Sequence, residues 1–423
     1  MRRSAFAIVP ALLLLGGTAR AQDVLVEGPG IKMGEASVLH PHVGLEAGLV
    51  SNVFYEETDE VVAPVLRLLA GISWQPAGED RLGEIDGETS ARTIDFNTGV
   101  DVAYSEFLTS DEQVRKQRNL DVNARAAIVF FPKGNVAFTL ADQFQRVGRP
   151  TNFESDQHLD RDVNHFKAEV IFQPQGHNIS AGPRYENTID VFESDESDFA
   201  DRIQHIVGGR VNWKFFPYTQ AWLDASYGFF GPLGDGQLEG MDYKVSSNPL
   251  RIETGIDSVL TEWTTIKARV GYANGFYETG PSYNSVVGGA DFGWRYLPTG
   301  RVVLSYQYDV HDSINANYFG EHQGRVSLSQ QIRTFVLSGF GGVRFRGYRG
   351  VPDSIPGPAE RNDVILEGSG RLAWVLLDRF SAYLDYSIQS VDSDFRDGEM
   401  VDSEVDDPSY LRHEGVIGIS AAF

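Results

Sequence analysis

The sequence predicts an all-β fold: a single transmembrane antiparallel up-and-down β-barrel of about 18 strands, with both termini on the periplasmic side. Three observations predict it. Apolar and polar residues alternate with period two along most of the chain, and the alternating runs pair into long hairpins that repeat about every 42 residues. No stretch after Gln22 holds the roughly 18 consecutive apolar residues of a spanning helix.

The chain begins as an exported one. Arg2 and Arg3 precede an apolar run from Ala5 to Leu15, and Ala19-Arg20-Ala21 offers small residues at the two positions a signal peptidase reads. The run is too short to anchor the chain across a hydrocarbon core of about 30 Å. Residues 1–21 are therefore expected to be a signal peptide cleaved after Ala21, residues 22–40 a periplasmic segment too short for a plug domain, and residues 41–423 the barrel.

Composition removes other classes. The 423 residues carry 36 Lys+Arg and 59 Asp+Glu, a formal charge of −23, and losing the three arginines of the leader takes it to −26. So acidic a chain lacks the basic stripe that nucleic acid requires. Without cysteine there is no disulfide scaffold, thiolate metal site, cysteine nucleophile or acyl-anchored lipoprotein. At 42% hydrophobic with a mean hydropathy of −0.24, the chain is too apolar for disorder and too polar for a bundle of membrane helices.

Taken in order, strands are expected at 41–52, 61–74, 92–107, 117–131, 135–147, 162–173, 177–192, 203–216, 218–230, 245–258, 261–275, 284–297, 300–311, 321–332, 334–347, 363–377, 379–391 and 410–423. The alternation is sharpest where Val302, Leu304, Tyr306, Tyr308 and Val310 interleave with Val303, Ser305, Gln307 and Asp309. One face is apolar and the other wet. Tight turns at Pro132-Lys133-Gly134, Pro174-Gln175-Gly176, Pro217-Tyr218, Pro298-Thr299-Gly300, Arg333 and Asp378-Arg379 alternate with longer polar loops, and only the turn after Trp74 runs long. A propeller blade has a similar period. It would cut each repeat into four short strands, whereas here each repeat holds two strands of about 12 residues or more, long enough to cross a bilayer.

Lipid offers the backbone no hydrogen-bond partners, so a spanning sheet must close, and an even strand number returns both ends to one side. The Pro/Gly turns, with Phe130-Phe131, Phe172, Phe215-Phe216 and Tyr296 beside them, are assigned to the periplasmic rim. The last strand ends on Phe423, with Ala421, Ile419 and Ile417 on one face. With Gly418 this is a partial match to the insertion signal that the barrel-assembly machinery reads, since Ala421 and Val416 depart from the usual pattern.

Charge divides between loops and lumen. The loops at 53–60, 193–202, 231–243 and 392–409 hold 20 acids against Arg202 and Arg396. They can act as an electrostatic filter, as a site where divalent cations bridge to lipopolysaccharide, or simply as a solvated rim. The segment Asp392 to Gly398 has only a superficial likeness to a calcium loop, because its third acid is displaced and position twelve is Ser403. The wet strand faces collect opposite charges that an aqueous lumen accommodates. Candidates for the solute path are Arg210, Arg269, Arg295, Arg325, Arg344, Arg346, Arg371, Asp224, Asp257 and Asp309, each of which can equally be half of a wall-stiffening ion pair. Arg344 and Arg346, two apart with few acids near them in sequence, are the foremost ligand-facing pair.

Enzyme motifs are absent: no G-x-S-x-G elbow, no H-E-x-x-H, no phosphate loop. His40 and His42 share a face without neighbouring carboxylate or cysteine ligands in the sequence, so neither a metal centre nor a cofactor is expected. The run Gly48-Leu49-Val50-Ser51-Asn52-Val53-Phe54, followed by Val62-Ala63-Pro64-Val65-Leu66-Arg67, resembles the opening hairpin of the β-barrel porins found with bacterial exopolysaccharide and capsule export systems. Ser51 stands where an acid is more usual. The resemblance implies an outer-membrane conduit of a Gram-negative bacterium for an exported polysaccharide, working with periplasmic export proteins and set among outer-membrane lipid and lipopolysaccharide. A general diffusion porin for small solutes is the alternative, and a non-conducting structural or enzymatic barrel is the third reading.

Overall fold

The computed structural model describes residues 28–34, 37–58, 60–76, 93–147, 160–174, 178–193, 195–234, 236–238, 241–242, 244–314, 316–350, 360–394 and 408–423. The leader, the long turn after Trp74, Arg396 and Ser403 lie outside the described residues.

The alternating segments form an antiparallel cylinder of 18 strands. They are β1 (Ser37–Val50), β2 (Ala63–Pro76), β3 (Ile94–Phe107), β4 (Asn119–Phe130), β5 (Val136–Val147), β6 (Arg161–Phe172), β7 (Ile179–Phe192), β8 (Arg202–Phe216) and β9 (Thr219–Pro232). There follow β10 (Leu250–Val259), β11 (Thr264–Asn274), β12 (Asn284–Leu297), β13 (Gly300–Asp312), β14 (Tyr318–Ile332), β15 (Phe335–Arg349), β16 (Glu360–Leu377), β17 (Phe380–Ser393) and β18 (Tyr410–Ala422). Each strand pairs with its chain neighbours, and β1 pairs with β18 in the register Leu45 to Ile419 and Ala47 to Ile417, which closes the sheet. Closure leaves no edge, so the ladder satisfies the backbone that lipid cannot. Three short segments add to these strands: Ile31–Met33 extends the same sheet by pairing with the start of β1, and Gln237–Leu238 pairs with Met241–Asp242 inside a long loop.

The start of β1 and the end of β18 lie at the rim of short turns, where the Phe423 N–H donates to the Pro41 carbonyl at 3.0 Å. Turn chemistry sets that rim. Arg333 adopts φ 56° in the two-residue connection between β14 and β15, and the single turn residue expected there is that one. At the opposite rim, Asn52 stops β1 with φ 51°. Its side-chain amide donates to the carbonyls of Glu56 (2.6 Å) and Leu411 (3.0 Å) and accepts from the Glu56 N–H (2.9 Å). An asparagine tolerates the left-handed conformation and spans such a turn where most side chains would not.

Strand ends depart from expectation for local reasons. The tenth strand starts at Leu250 rather than 245 because Pro249 has no N–H for the ladder. The sixteenth reaches back to Glu360 rather than 363, since Arg361 and Asp363 neutralise one another at 2.7 Å and let the ladder run on through charged residues. The one α-helix among the described residues, Glu112–Lys116, is capped by Asp111 and seats Val114 against Val50, Val65 and Phe107 inside the mouth.

Register puts Leu45, Leu68, Val207, Val270, Leu304, Val326, Leu384 and Ile417 on the outward face, all exposed. Four tryptophans, Trp74, Trp213, Trp294 and Trp374, ring the short-turn edge of this band, while Tyr104, Tyr185, Tyr227, Tyr272, Tyr306 and Tyr386 face outward toward the long-loop edge. Gly418 faces inward against the Tyr383 ring, where an added Cβ would meet it at 2.3 Å. An outward charge tests the assignment directly. Ile417, 67% exposed, replaced by arginine should lose about 2–4 kcal/mol in equilibrium unfolding from lipid bilayers. An unchanged midpoint would place Ile417 outside the hydrocarbon.

Candidate functional site

The lumen is built from the inward set of every strand, and its charges organise it in two levels. At the long-loop mouth, Asp190 at the end of β7 takes Arg161 at 2.9 Å and Arg202 at 2.8 Å. Arg202 also reaches Asp312 at 3.1 Å. Arg202 opens β8 and Asp312 ends β13, five strands further round. Five steps of about 4.8 Å make roughly 24 Å along the wall, so the bridge means that the rim leans across the opening.

Lys244, the one cation of loop 233–249, is 4% exposed, bonds Asp312 at 2.8 Å and donates to the Ser313 carbonyl. The Tyr277 hydroxyl donates to the other Asp312 oxygen at 3.3 Å. Burial, with Asp312 beside it, holds that hydroxyl far above its ordinary pKa, so it stays a donor. Phe192, Ala200 and Ile314 pack together over the same span. Loops from two sides of the cylinder thus meet and narrow its entrance.

Below the mouth, carboxylates answer most of the arginines. Arg67 binds Glu414 at 2.5 Å and Glu46 at 3.3 Å, and Tyr383 donates to Glu46 at 2.8 Å. Arg269 takes Glu253 at 2.5 Å and Asp309 at 3.0 Å, and Asp309 also holds Arg251 at 2.6 Å. Arg371 pairs with Asp385 at 2.5 Å over the face of Tyr383. Arg184 clamps Asp224 with both terminal guanidinium nitrogens. Asp257 accepts from Gln220 at 3.1 Å.

Two sequence expectations need correction. Arg344 and Arg346 are not short of acids: Arg344 binds Glu367 and Arg346 binds Glu321, each at 2.5 Å, and all four are nearly buried. The strands that supply Glu321 and Glu367 flank theirs in the sheet but stand more than twenty residues away in sequence, so spacing along one strand hid them. His42 likewise has a carboxylate neighbour, Asp101, at 3.4 Å.

Arg210 and Arg325 differ from the rest. The Arg210 guanidinium lies 4.1 Å from the Trp222 ring centroid and its Nε donates to Asn212, while Arg325 lies 3.7 Å from that of Phe340. Neither has a carboxylate at ion-pair distance among the described residues. Arg210 sits eight residues from the mouth end of β8 and Arg325 seven from that of β14. They stand at the same middle height on well-separated parts of the wall. Lys267 lies by register between Asp257 and Asp291. Arg295 is exposed beyond the irregularity after Trp294 near the short-turn opening.

The mouth set of Arg161, Asp190, Arg202, Lys244 and Asp312 was not among the expected path residues. A lone lysine in an otherwise acidic loop was the available signal, yet its partner is 68 residues away.

A closed even-stranded cylinder with an apolar outer band, aromatic edges and a charged interior is the architecture of outer-membrane barrels, and the chain has that architecture. No family model matches the chain, and no curated protein does. Among solved structures it is similar to Pseudomonas aeruginosa OccK2 (OpdF) in complex with glucuronate, at 9% identity and a TM-score of 0.48 over 91% of this chain and 98% of that one. It is similar to P. aeruginosa OpdK with vanillate, at 9% and 0.46 over 92% and 99%, and to Acinetobacter baumannii OccAB3, at 11% and 0.43 over 91% and 99%.

Proposed function

We propose that this barrel is a passive channel for small solutes with a preference for anions, standing with its long loops outside the cell and its short turns in the periplasm. The observation that carries the reading is the pair of arginines, Arg210 and Arg325, stacked on aromatic faces at the middle of the lumen. A guanidinium seated over a ring leaves its terminal N–H groups for a carboxylate, phosphate or sulfate passing along the axis. The paired charges around them stiffen the wall and present a lattice of donors and acceptors to water and solute, which favours passage without tight binding.

The narrowed mouth favours small solutes over the exported polysaccharide that the opening hairpin implies, because loops 193–201, 233–249 and 313–317 meet across it. Swelling of proteoliposomes in sugar acids and in neutral oligosaccharides of increasing length tests this. Monosaccharide acids should enter fast and oligosaccharides slowly or not at all. Equal rates for long and short chains would favour the polymer conduit instead.

A further inference from the structure

Conduction leaves one feature of the outer wall unused. Tyr185 on β7 bonds His205 on β8, Tyr306 on β13 bonds His322 on β14, and Tyr386 on β17 bonds His413 on β18, with hydroxyl to Nδ1 distances of 2.8, 2.9 and 2.7 Å. All six residues belong to the outward face. In each case the residue directly opposite the histidine lies two positions beyond the tyrosine: Asn187 opposite His205, Tyr308 opposite His322, Ile388 opposite His413. One diagonal geometry therefore occurs three times around the circumference.

Height is shared as well. Tyr185 and Tyr386 lie seven residues before the mouth ends of their strands, at Phe192 and Ser393, and Tyr306 lies six before Asp312. On β8, His205 stands eight residues from Trp213 at the short-turn edge. Eight steps of about 3.3 Å on a strand tilted by about 40° rise roughly 20 Å, close to the height of an apolar band. The pairs thus stand where hydrocarbon gives way to head groups, and the opposite edge carries tryptophan instead.

The chemistry of the ring follows from its neighbours. The Asn187 amide nitrogen donates to the Gln204 carbonyl at 3.1 Å, which identifies it as the NH2 end, and it lies 3.2 Å from His205 Nδ1. At His205 Nδ1 therefore accepts from Asn187, which leaves the ring N–H on Nε2; His322 and His413 share the tyrosine contact without such an amide. None of the three histidines has an ion-pair partner among the described residues.

We propose that the three Tyr–His pairs bind phosphate groups of the anionic lipid in the leaflet at the long-loop rim, each tyrosine holding its imidazole so that Nε2–H donates to a lipid phosphate oxygen. The assignment rests on the membrane orientation of the proposed channel.

The test uses the full mature chain refolded in phosphatidylcholine bilayers, with purified lipopolysaccharide and the same lipopolysaccharide dephosphorylated as probes. The phosphorylated form should raise the midpoint of heat-induced gel-mobility change more than the dephosphorylated form. The triple variant His205→Phe, His322→Phe, His413→Phe should bind the phosphorylated form roughly tenfold more weakly. Tyr185→Phe, Tyr306→Phe, Tyr386→Phe, which keeps the imidazoles and removes their positioning hydroxyls, should fall between, and it carries the test should the histidine variant not refold. Channel currents should be the same in all three proteins. Wild-type protein that binds lipopolysaccharide but passes no current would sink the channel reading and leave this one standing. Equal affinity of wild type and variants, equal affinity for the two lipopolysaccharides, or stabilisation only through self-association would overturn the lipid-phosphate site.

Discussion

Replacing Asp312 with asparagine is expected to open the mouth, raising single-channel conductance and exposing loop 233–249 to protease. Asp312 is the point on which Arg202, Lys244 and Tyr277 converge from three different segments. Arg202 keeps Asp190 in the variant. Lys244 would lose the carboxylate it bonds at 2.8 Å while 4% exposed, and breaking a buried ion pair by removing one partner costs about 3–5 kcal/mol. Freeing a surface loop costs less, so the ammonium should leave for solvent and carry its segment away from Ser313. Unaltered conductance together with an unaltered cleavage pattern would show that these contacts do not narrow the path.

The second large effect concerns selectivity. With Arg210→Gln and Arg325→Gln combined, the reversal potential in a salt gradient should move from favouring chloride toward favouring potassium. An ion passing about 7 Å from one charge in water feels about 0.6 kcal/mol, and salt near 0.1 M screens roughly half of it, so two charges shift each ion about threefold, chloride and potassium in opposite senses, and predict about a sevenfold change in permeability ratio. Replacing the ion pair of Arg346 and Glu321, 2.5 Å apart, as a unit with Arg346→Gln and Glu321→Gln leaves the net lumen charge unchanged and should move the reversal potential far less. If the two changes had equal effects, the stacked arginines would hold no special place in the lumen.

The fold was legible because a barrel writes its architecture locally. Each strand shows its two faces in its own alternation, and short Pro/Gly turns mark one rim without any knowledge of the rest of the chain. What the sequence hid was convergence across the cylinder. The partners of Arg346, Lys244 and Arg202 come from other strands and loops, and their pairing depends on curvature and register rather than on spacing. Arg344 and Arg346 looked unopposed along β15 for that reason. Arg210 and Arg325 were visible as inward cations, but the rings beneath them, Trp222 and Phe340, come from the neighbouring strands and mark them out only once the register is known. Asn52 shows the reverse case: it sits in the motif that carries the sequence resemblance, and the structure gives it a backbone task at the end of β1.

Purified mature protein in a planar lipid bilayer tests the account at its root. It should give discrete current steps that are weakly anion-selective and persist without any partner protein. A bilayer that stays silent at high protein concentration, with the barrel shown to be folded and inserted, would contradict a continuous aqueous path through this cylinder.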